Sequence, residues 1–147
     1  VLDALKNKKI KKFENFNKIQ REFKFGKNSR FDFVLEEKGK KVLIEVKNVT
    51  LSRKKGIAEF PDSITSRGLK HLKELLKAKK KGYEIYMLYV IQREDCNKFE
   101  LANDIDPDYC KFLEKAIKKK LNILCYDCKF SSKGIKLNQI VKFNFNE

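Results

Sequence analysis

The sequence holds 147 residues, 41% of them hydrophobic and 37% charged, a size and mix that fit one folded unit with its own core and exclude a low-complexity chain. Lys and Arg number 35 against 20 acidic residues, a formal net charge of +15, which favours a polyanionic partner, nucleic acid first. A lysine-rich surface serving solubility or heat tolerance is the plain alternative.

No apolar run approaches the ~18–20 residues that cross a bilayer, and no signal-like segment follows the basic start, so no membrane association is expected and a cytoplasmic protein is. Residues 2 to 13 carry Leu2, Leu5, Ile10 and Phe13 at roughly helical spacing and predict a short amphipathic helix. The chain opens on Val1 with that pattern already under way, so a segment upstream is expected. "KIQREFKF" alternates, with Ile19, Phe23 and Phe25 on one side, and predicts a half-buried strand. "RFDFVLEE" and "KKVLIEVKNV" predict two more, the second apolar enough to be central.

Residues 52 to 62, with Gly56 and Pro61, lack a period and predict a loop. Asp62 or Ser63 can then cap a helix to about Lys81, its stripe formed by Ile64, Gly68, Leu72, Leu75 and Leu76 and its stop by Gly82. "YEIYMLYVIQ" predicts a central strand, "DPDYCKFLEKAIKKKL" a helix capped by Asp106 with Pro107 at its first position, and residues 122–130 and 135–145 two final strands. The predicted order is α-β-β-β-α-β-α-β-β. Cys125 and Cys128 form a C-x-x-C on a predicted strand, where residues three apart face opposite ways, so reduced, partly buried thiols are expected rather than a metal site.

The stretch "SRFDFVLEEKGKKVLIEVKNVTL", residues 29–51, concentrates the chemistry. Glu45 and Lys47 are two apart on a strand and leave the same face, with Val42, Ile44 and Val46 on the other. A two-residue turn on Lys38-Gly39 would pair residues whose numbers sum to 77 and set Asp32 opposite Glu45, Cβ atoms ~4.5–5.5 Å apart. Two carboxylates so close need a cation, either Lys47 or a hard divalent ion such as Mg²⁺ or Mn²⁺. The competing reading is an exposed Glu45–Lys47 salt bridge of little consequence.

Three segments in order, "NSRFDFVL", "VLIEVKNVTL" and "AEFPDSITSRGLKHLKEL", resemble the C-terminal domain of the sugar fermentation stimulation protein A (SfsA) family, the likeness running from about Lys18 to Phe143. The resemblance implies an α/β fold of the PD-(D/E)XK nuclease-like type, a mixed sheet flanked by helices in which an α-β-β-β-α-β core presents an Asp and an E-x-K. It implies a single such domain here, without the family's small N-terminal OB-type domain. Asp32, Glu45 and Lys47 match the motif and are the implied catalytic residues. Asp32, Glu45 and the Val46 backbone carbonyl would hold one or two Mg²⁺ (or Mn²⁺). Asp3 is the one acid on the first predicted helix, where relatives of this fold often carry a further ligand.

In those roles the metal polarises the scissile phosphate and acidifies a bound water, and Lys47 orients that water and offsets phosphoryl charge. Beside two carboxylates, Lys47 is expected to keep its proton. "FPDSITSRGLKHL" sets Arg67, His71 and Glu74 along one helix side, with Lys70 beside them. Ser63, Thr65 and Ser66 add hydroxyls and free N–H groups where a phosphate can dock. Arg30 and Arg67 suit bidentate phosphate contact, with Asp62 and His71 bordering the cleft. The alternative there is helix capping and a solvated polar face. The sequence therefore predicts a DNA-binding, Mg²⁺-dependent phosphodiesterase. Two rivals stay open: a DNA-binding regulatory module of the same fold without turnover, and an RNA-binding or RNA-processing domain. A homo-oligomer is compatible with everything above.

Overall fold

The computed structural model describes residues 1–143. Its elements run α1 (Leu2–Lys6), a 3-10 turn (Lys11–Phe13), β1 (Lys18–Phe25), β2 (Ser29–Glu37), β3 (Lys40–Val49), β4 (Leu51–Lys54) and β5 (Ile57–Phe60). There follow α2 (Ser66–Lys80), β6 (Glu84–Ile91), β7 (Lys98–Leu101), α3 (Pro107–Lys118), β8 (Asn122–Ser131), β9 (Gly134–Ile140) and β10 (Lys142–Phe143). The molecule is a mixed α/β fold with two sheets: six strands ordered β1-β2-β3-β6-β8-β9, and four ordered β10-β7-β5-β4.

In the large sheet β1, β2 and β3 are antiparallel neighbours, β3, β6 and β8 run parallel, and β9 turns back on β8. β3 and β6 sit in the middle and are buried on both faces, as their near-continuous apolar sequence requires. Leu43, Val49, Met87, Tyr89 and Ile91 pack with α2 and α3, whereas Val42, Ile44, Tyr86 and Leu88 pack with Leu5, Ile10 and Phe13 of the N-terminal segment. Cys125 belongs to the first cluster and Cys128 to the second, and both are free thiols.

Local chemistry accounts for several boundaries. Lys38 (φ 49°) and Gly39 (φ 79°) both take left-handed backbone, the requirement of a two-residue type I′ hairpin turn. Asp106 caps α3, its Oδ1 accepting from the Tyr109 N–H at 3.1 Å, with Pro107 at the first helical position. Gly82 (φ 97°) follows the end of α2.

Other boundaries differ from the sequence prediction. The first helix stops at Lys6: Lys8 turns to φ 58°, so Ile10 and Phe13 reach the sheet from a separate 3-10 turn instead of a continued helix. Residues 52–62 are largely strand, because β4 and β5 form a hairpin about Gly56 and β5 pairs with β7, a partner remote in sequence. The cap of α2 is Thr65, whose Oγ1 accepts from the Gly68 N–H at 2.9 Å, not Asp62 or Ser63, and Ile64 lies outside the buried stripe at 79% exposure. The last predicted strand divides between the two sheets at Val141, and its positions 144 and 145 lie outside the described residues.

One irregularity shapes the site. From Phe33 onward β2 alternates normally, with Val34 facing the helices and Leu35 the N-terminal segment, yet Phe31 and Phe33, two apart, lie on opposite faces. β1 switches likewise: Ile19 packs on the N-terminal side and Phe23 and Phe25 on the helix side. Between them Glu22 takes φ 50°, and the Glu22–Asp32 pair is missing from an otherwise continuous β1–β2 register. A non-glycine residue in the left-handed region reverses the pleat. The expected single side for Ile19, Phe23 and Phe25 fails at that point.

Candidate active site

The β2–β3 register has the expected index sum of 77 from Glu37↔Lys40 to Phe33↔Ile44, and the pairing ends there. Asp32 is therefore not a ladder partner of Glu45. Its carboxylate instead takes up the ladder role one step further along: Oδ2 accepts from the Val46 N–H at 2.7 Å. Val49 directs its carbonyl to β6, accepting from the Gln92 N–H at 2.8 Å. Residues of odd number on β3 thus turn their backbone to β6, and Val46 turns both N–H and C=O toward Asp32.

Glu45 is 4% exposed, which removes the surface-salt-bridge reading. Burial above all, then the neighbouring Asp32 carboxyl, push Glu45 up to about 9, against the opposing pull of Lys47 and Arg67. Without a cation beside it, Glu45 therefore holds a proton far more readily than an ordinary carboxyl does. Its Oε2 is fully enclosed and has no hydrogen-bond partner in the protein, an exception among buried polar atoms.

Lys47 donates from Nζ to His71 Nδ1 at 3.0 Å. Burial, with Lys47 and Arg67 nearby, lowers His71 to about 4, so the imidazole is neutral, accepts at Nδ1 and carries its proton on Nε2. The 3.8 Å approach of His71 Nδ1 to Glu45 Oε1 is accordingly no ion pair. Burial also lowers Lys47, outweighing the opposing charges of Glu45 and Asp32, so the carboxylates do not secure its proton as fully as the sequence suggested.

α2 delivers Arg67 and His71 because its first turn is pinned. Asp106 Oδ2 accepts from the Thr65 N–H at 2.8 Å while Oδ1 caps α3, so one carboxylate joins the starts of both helices. Gly68 permits the contact: a Cβ there would lie 2.8 Å from Thr65 Oγ1 and 3.1 Å from the Tyr109 ring. Tyr109 in turn shares a 2.6 Å hydroxyl hydrogen bond with Tyr89, which sits beside Lys47 in the β3–β6 register.

Beyond His71 opens a cleft of about 540 Å³ lined by Lys24, Lys27, Arg30, Arg67 and Lys70, with no acidic residue in its lining. Arg30, Lys70, Arg67 and His71 are thus brought together as the sequence suggested. Lys24 and Lys27, on the β1–β2 hairpin, were not singled out; the lysine-flanked turn "KFGKNSR" was their signal. Ser63 and Asp62 are exposed and do not line this cleft, and the Thr65 hydroxyl and N–H serve caps, so the phosphate dock proposed there is largely spent on α2 itself. Asp3 is exposed on α1, whose buried residues pack against the other sheet face. Among the described residues no three His, Cys, Asp or Glu side chains converge as a metal cluster, so Asp3 adds no ligand.

The donors present still fit a hard cation. Two carboxylates and an outward-turned carbonyl, the rest left to water and a phosphate, match the sparse protein coordination typical of Mg²⁺, and the enclosed Glu45 Oε2 supplies an unused acceptor.

The family model described as "Sugar fermentation stimulation protein RE domain" matches residues 1–134. The chain belongs to this family. Curated SfsA homologues support the assignment: the sugar fermentation stimulation protein homolog of Pelagibacter ubique is 45% identical over 139 residues, and that of Agrobacterium fabrum 41% over 143. These alignments take in 95% and 97% of this chain but 60% of each relative, so the chain spans about three fifths of the curated SfsA proteins it matches. The solved structure of Pyrococcus furiosus SfsA in complex with Ca²⁺ superposes with a TM-score of 0.87 at 23% identity, covering 97% of this chain and 61% of that one. That likeness establishes a shared SfsA fold.

Proposed function

We propose that this SfsA-family domain is a DNA-binding, metal-dependent phosphodiesterase of the PD-(D/E)XK type, with Asp32, Glu45 and Lys47 as its catalytic residues. The observation that carries the reading is a buried Glu45 with an unpartnered oxygen, set beside the half-buried Asp32 and, through His71, next to a cleft lined by five basic residues and no acid. The solved Pyrococcus furiosus relative was in complex with Ca²⁺, a hard, oxygen-seeking ion, which supports a divalent cation as a ligand of this fold.

Mg²⁺ or Mn²⁺ bound by Asp32, Glu45 and the Val46 carbonyl would polarise a phosphoryl oxygen and acidify a bound water. Asp32, fixed by the Val46 N–H through Oδ2, would offer its other oxygen to the ion. Lys47, held by its hydrogen bond to His71, would offset the negative charge that grows on the phosphoryl oxygens. Arg67 and Arg30 neutralise flanking phosphates, and Lys70 and Lys24 extend that field.

The test is incubation of purified protein with single- and double-stranded DNA under Mg²⁺, Mn²⁺ or EDTA, beside Asp32→Ala and Lys47→Ala. Cleavage that needs metal and falls by about a hundredfold or more in both variants is expected. Absence of metal-dependent cleavage, or cleavage indifferent to both changes, overturns the enzyme reading. One observation favours the non-cutting regulatory alternative: no third acidic ligand accompanies Asp32 and Glu45 among the described residues. Salt-sensitive DNA binding that survives both substitutions without cleavage is its signature.

A further inference from the structure

The basic cleft does not end at the β1–β2 turn. A second groove, of about 450 Å³, shares Gly26, Lys27, Asn28 and Ser29 with the first and continues over Phe25 to Lys77, Lys80 and Lys81. The hairpin turn thus stands beside α2 with a groove on either flank, and Lys70 Nζ reaches the Asn28 carbonyl at 3.5 Å between them.

We propose that these grooves form one track that carries the sugar-phosphate backbone of a DNA strand along α2, from Arg67 beside the candidate site to Lys81. This rests on the DNA reading above and extends it to a path and a length.

Charge argues for the occupant. The acid in the second groove, Glu74, is already paired with Lys77 at 3.1 Å, so Lys27, Lys80 and Lys81 leave it strongly positive. The aromatic ring there, Phe25, is buried and covered by the Lys81 ammonium, 4.9 Å from its centroid. No ring is offered for bases to stack on, so the track reads phosphates and not sequence. Lysines in the last turn of α2 also answer the helix dipole, but that does not account for Lys27, which a different element brings to the same groove. Fourteen residues separate Arg67 from Lys81, about 21 Å at 1.5 Å per residue. At 3.4 Å per nucleotide that is roughly six nucleotides of one strand of a duplex.

The experiment measures affinity against NaCl in EDTA, where no strand is cut, for single- and double-stranded DNA 30-mers and a single-stranded RNA 30-mer. It compares the unaltered protein, a Lys27→Ala/Lys80→Ala/Lys81→Ala triple variant, and a Lys129→Ala/Lys133→Ala/Lys136→Ala triple on the β8–β9 hairpin at the opposite edge of the sheet. The first triple should lower the slope of log K against log salt by about 2 for a single strand or about 2.7 for a duplex, and the second should leave it unchanged. A single Lys80→Glu variant, shifting the slope in the same direction, guards against a folding defect in the triple. Equal slopes in the unaltered protein and the first triple, or equal losses in both triples, overturn the track while leaving the active-site reading standing. A larger slope loss on RNA than on DNA overturns the choice of DNA. Absence of DNA binding by the unaltered protein at low salt is failure of the parent reading itself.

Discussion

Two glutamates on strands of different sheets, Glu45 on β3 and Glu59 on β5, are each 4% exposed, and their surroundings could hardly differ more. Glu59 meets Arg53, which bonds both of its oxygens, Nη2 to Oε2 at 2.6 Å and Nε to Oε1 at 3.2 Å, and also clasps Asp104. Its carboxyl is held below the ordinary carboxylate value, chiefly by those Arg53 hydrogen bonds. Glu45 meets another carboxyl, keeps an unpartnered oxygen and is pushed up to about 9. A buried acid that serves structure is compensated within the fold; one left uncompensated retains binding potential for something outside it.

The comparison breaks most visibly in activity. Glu45→Gln should abolish metal-dependent cleavage, whereas Glu59→Gln should leave the cleavage rate per folded molecule within a fewfold; an assay of both against Mg²⁺ concentration checks this. The same pair should move stability in opposite directions at pH 8 without metal. Glu59→Gln loses charge-assisted hydrogen bonds and destabilises by roughly 1–2 kcal/mol after discounting the solvent-facing side of Arg53. Glu45→Gln removes an acid that folding must keep protonated and so stabilises, read as a higher midpoint in urea.

The pH windows sharpen the contrast. Glu45 has a folded value near 9 against 4.5 unfolded, so the folded state binds the extra proton and stability falls as pH rises between those values. His71, lowered from 6.5 to about 4, acts oppositely, since stability is lost as pH falls through that interval. Above pH 6.5 Glu45 is therefore the dominant of the two, with a slope of at most about 1.4 kcal/mol per pH unit up to pH 9. Glu45→Gln should flatten it, and Mg²⁺ should oppose it by holding the ionised form. Glu59, lowered, contributes stability above pH 4.5 that is lost on acidification. Urea titrations at stepped pH with and without Mg²⁺ measure both.

The last two changes test how the site is held, and their effect on cleavage should be the smallest. Gly68→Ala drives a Cβ into Thr65 and toward Tyr109 and should cost about 1–3 kcal/mol. Asp106→Ala removes the cap of α3 and the acceptor of the Thr65 N–H, costing about 1–2 kcal/mol. Both should also weaken cleavage, because Arg67 and His71 ride on the helix they anchor.

How far the site was legible follows from the range of each interaction. The Lys38-Gly39 turn, the shared face of Glu45 and Lys47, the Asp106-Pro107 start and the Gly82 stop depend on neighbours within a few residues, and the sequence displays them. Pairing of Asp32 with Glu45 as a simple ladder step was read from the same register and failed, because Glu22, on a different strand, reverses the pleat opposite Asp32. The β4–β5 hairpin escaped notice since its pairing with β7 gives no local alternation.

By itself the sequence determined the family, the turn chemistry and the residue types able to do hydrolytic chemistry, since these are properties of short segments. Only the tertiary structure decided that Asp32 caps Val46, that His71 holds Lys47, and that lysines from a hairpin and from α2 line adjoining grooves. Burial, which lifts Glu45 and lowers His71, belongs to no segment; it arises when α2 closes over the sheet and removes water from both.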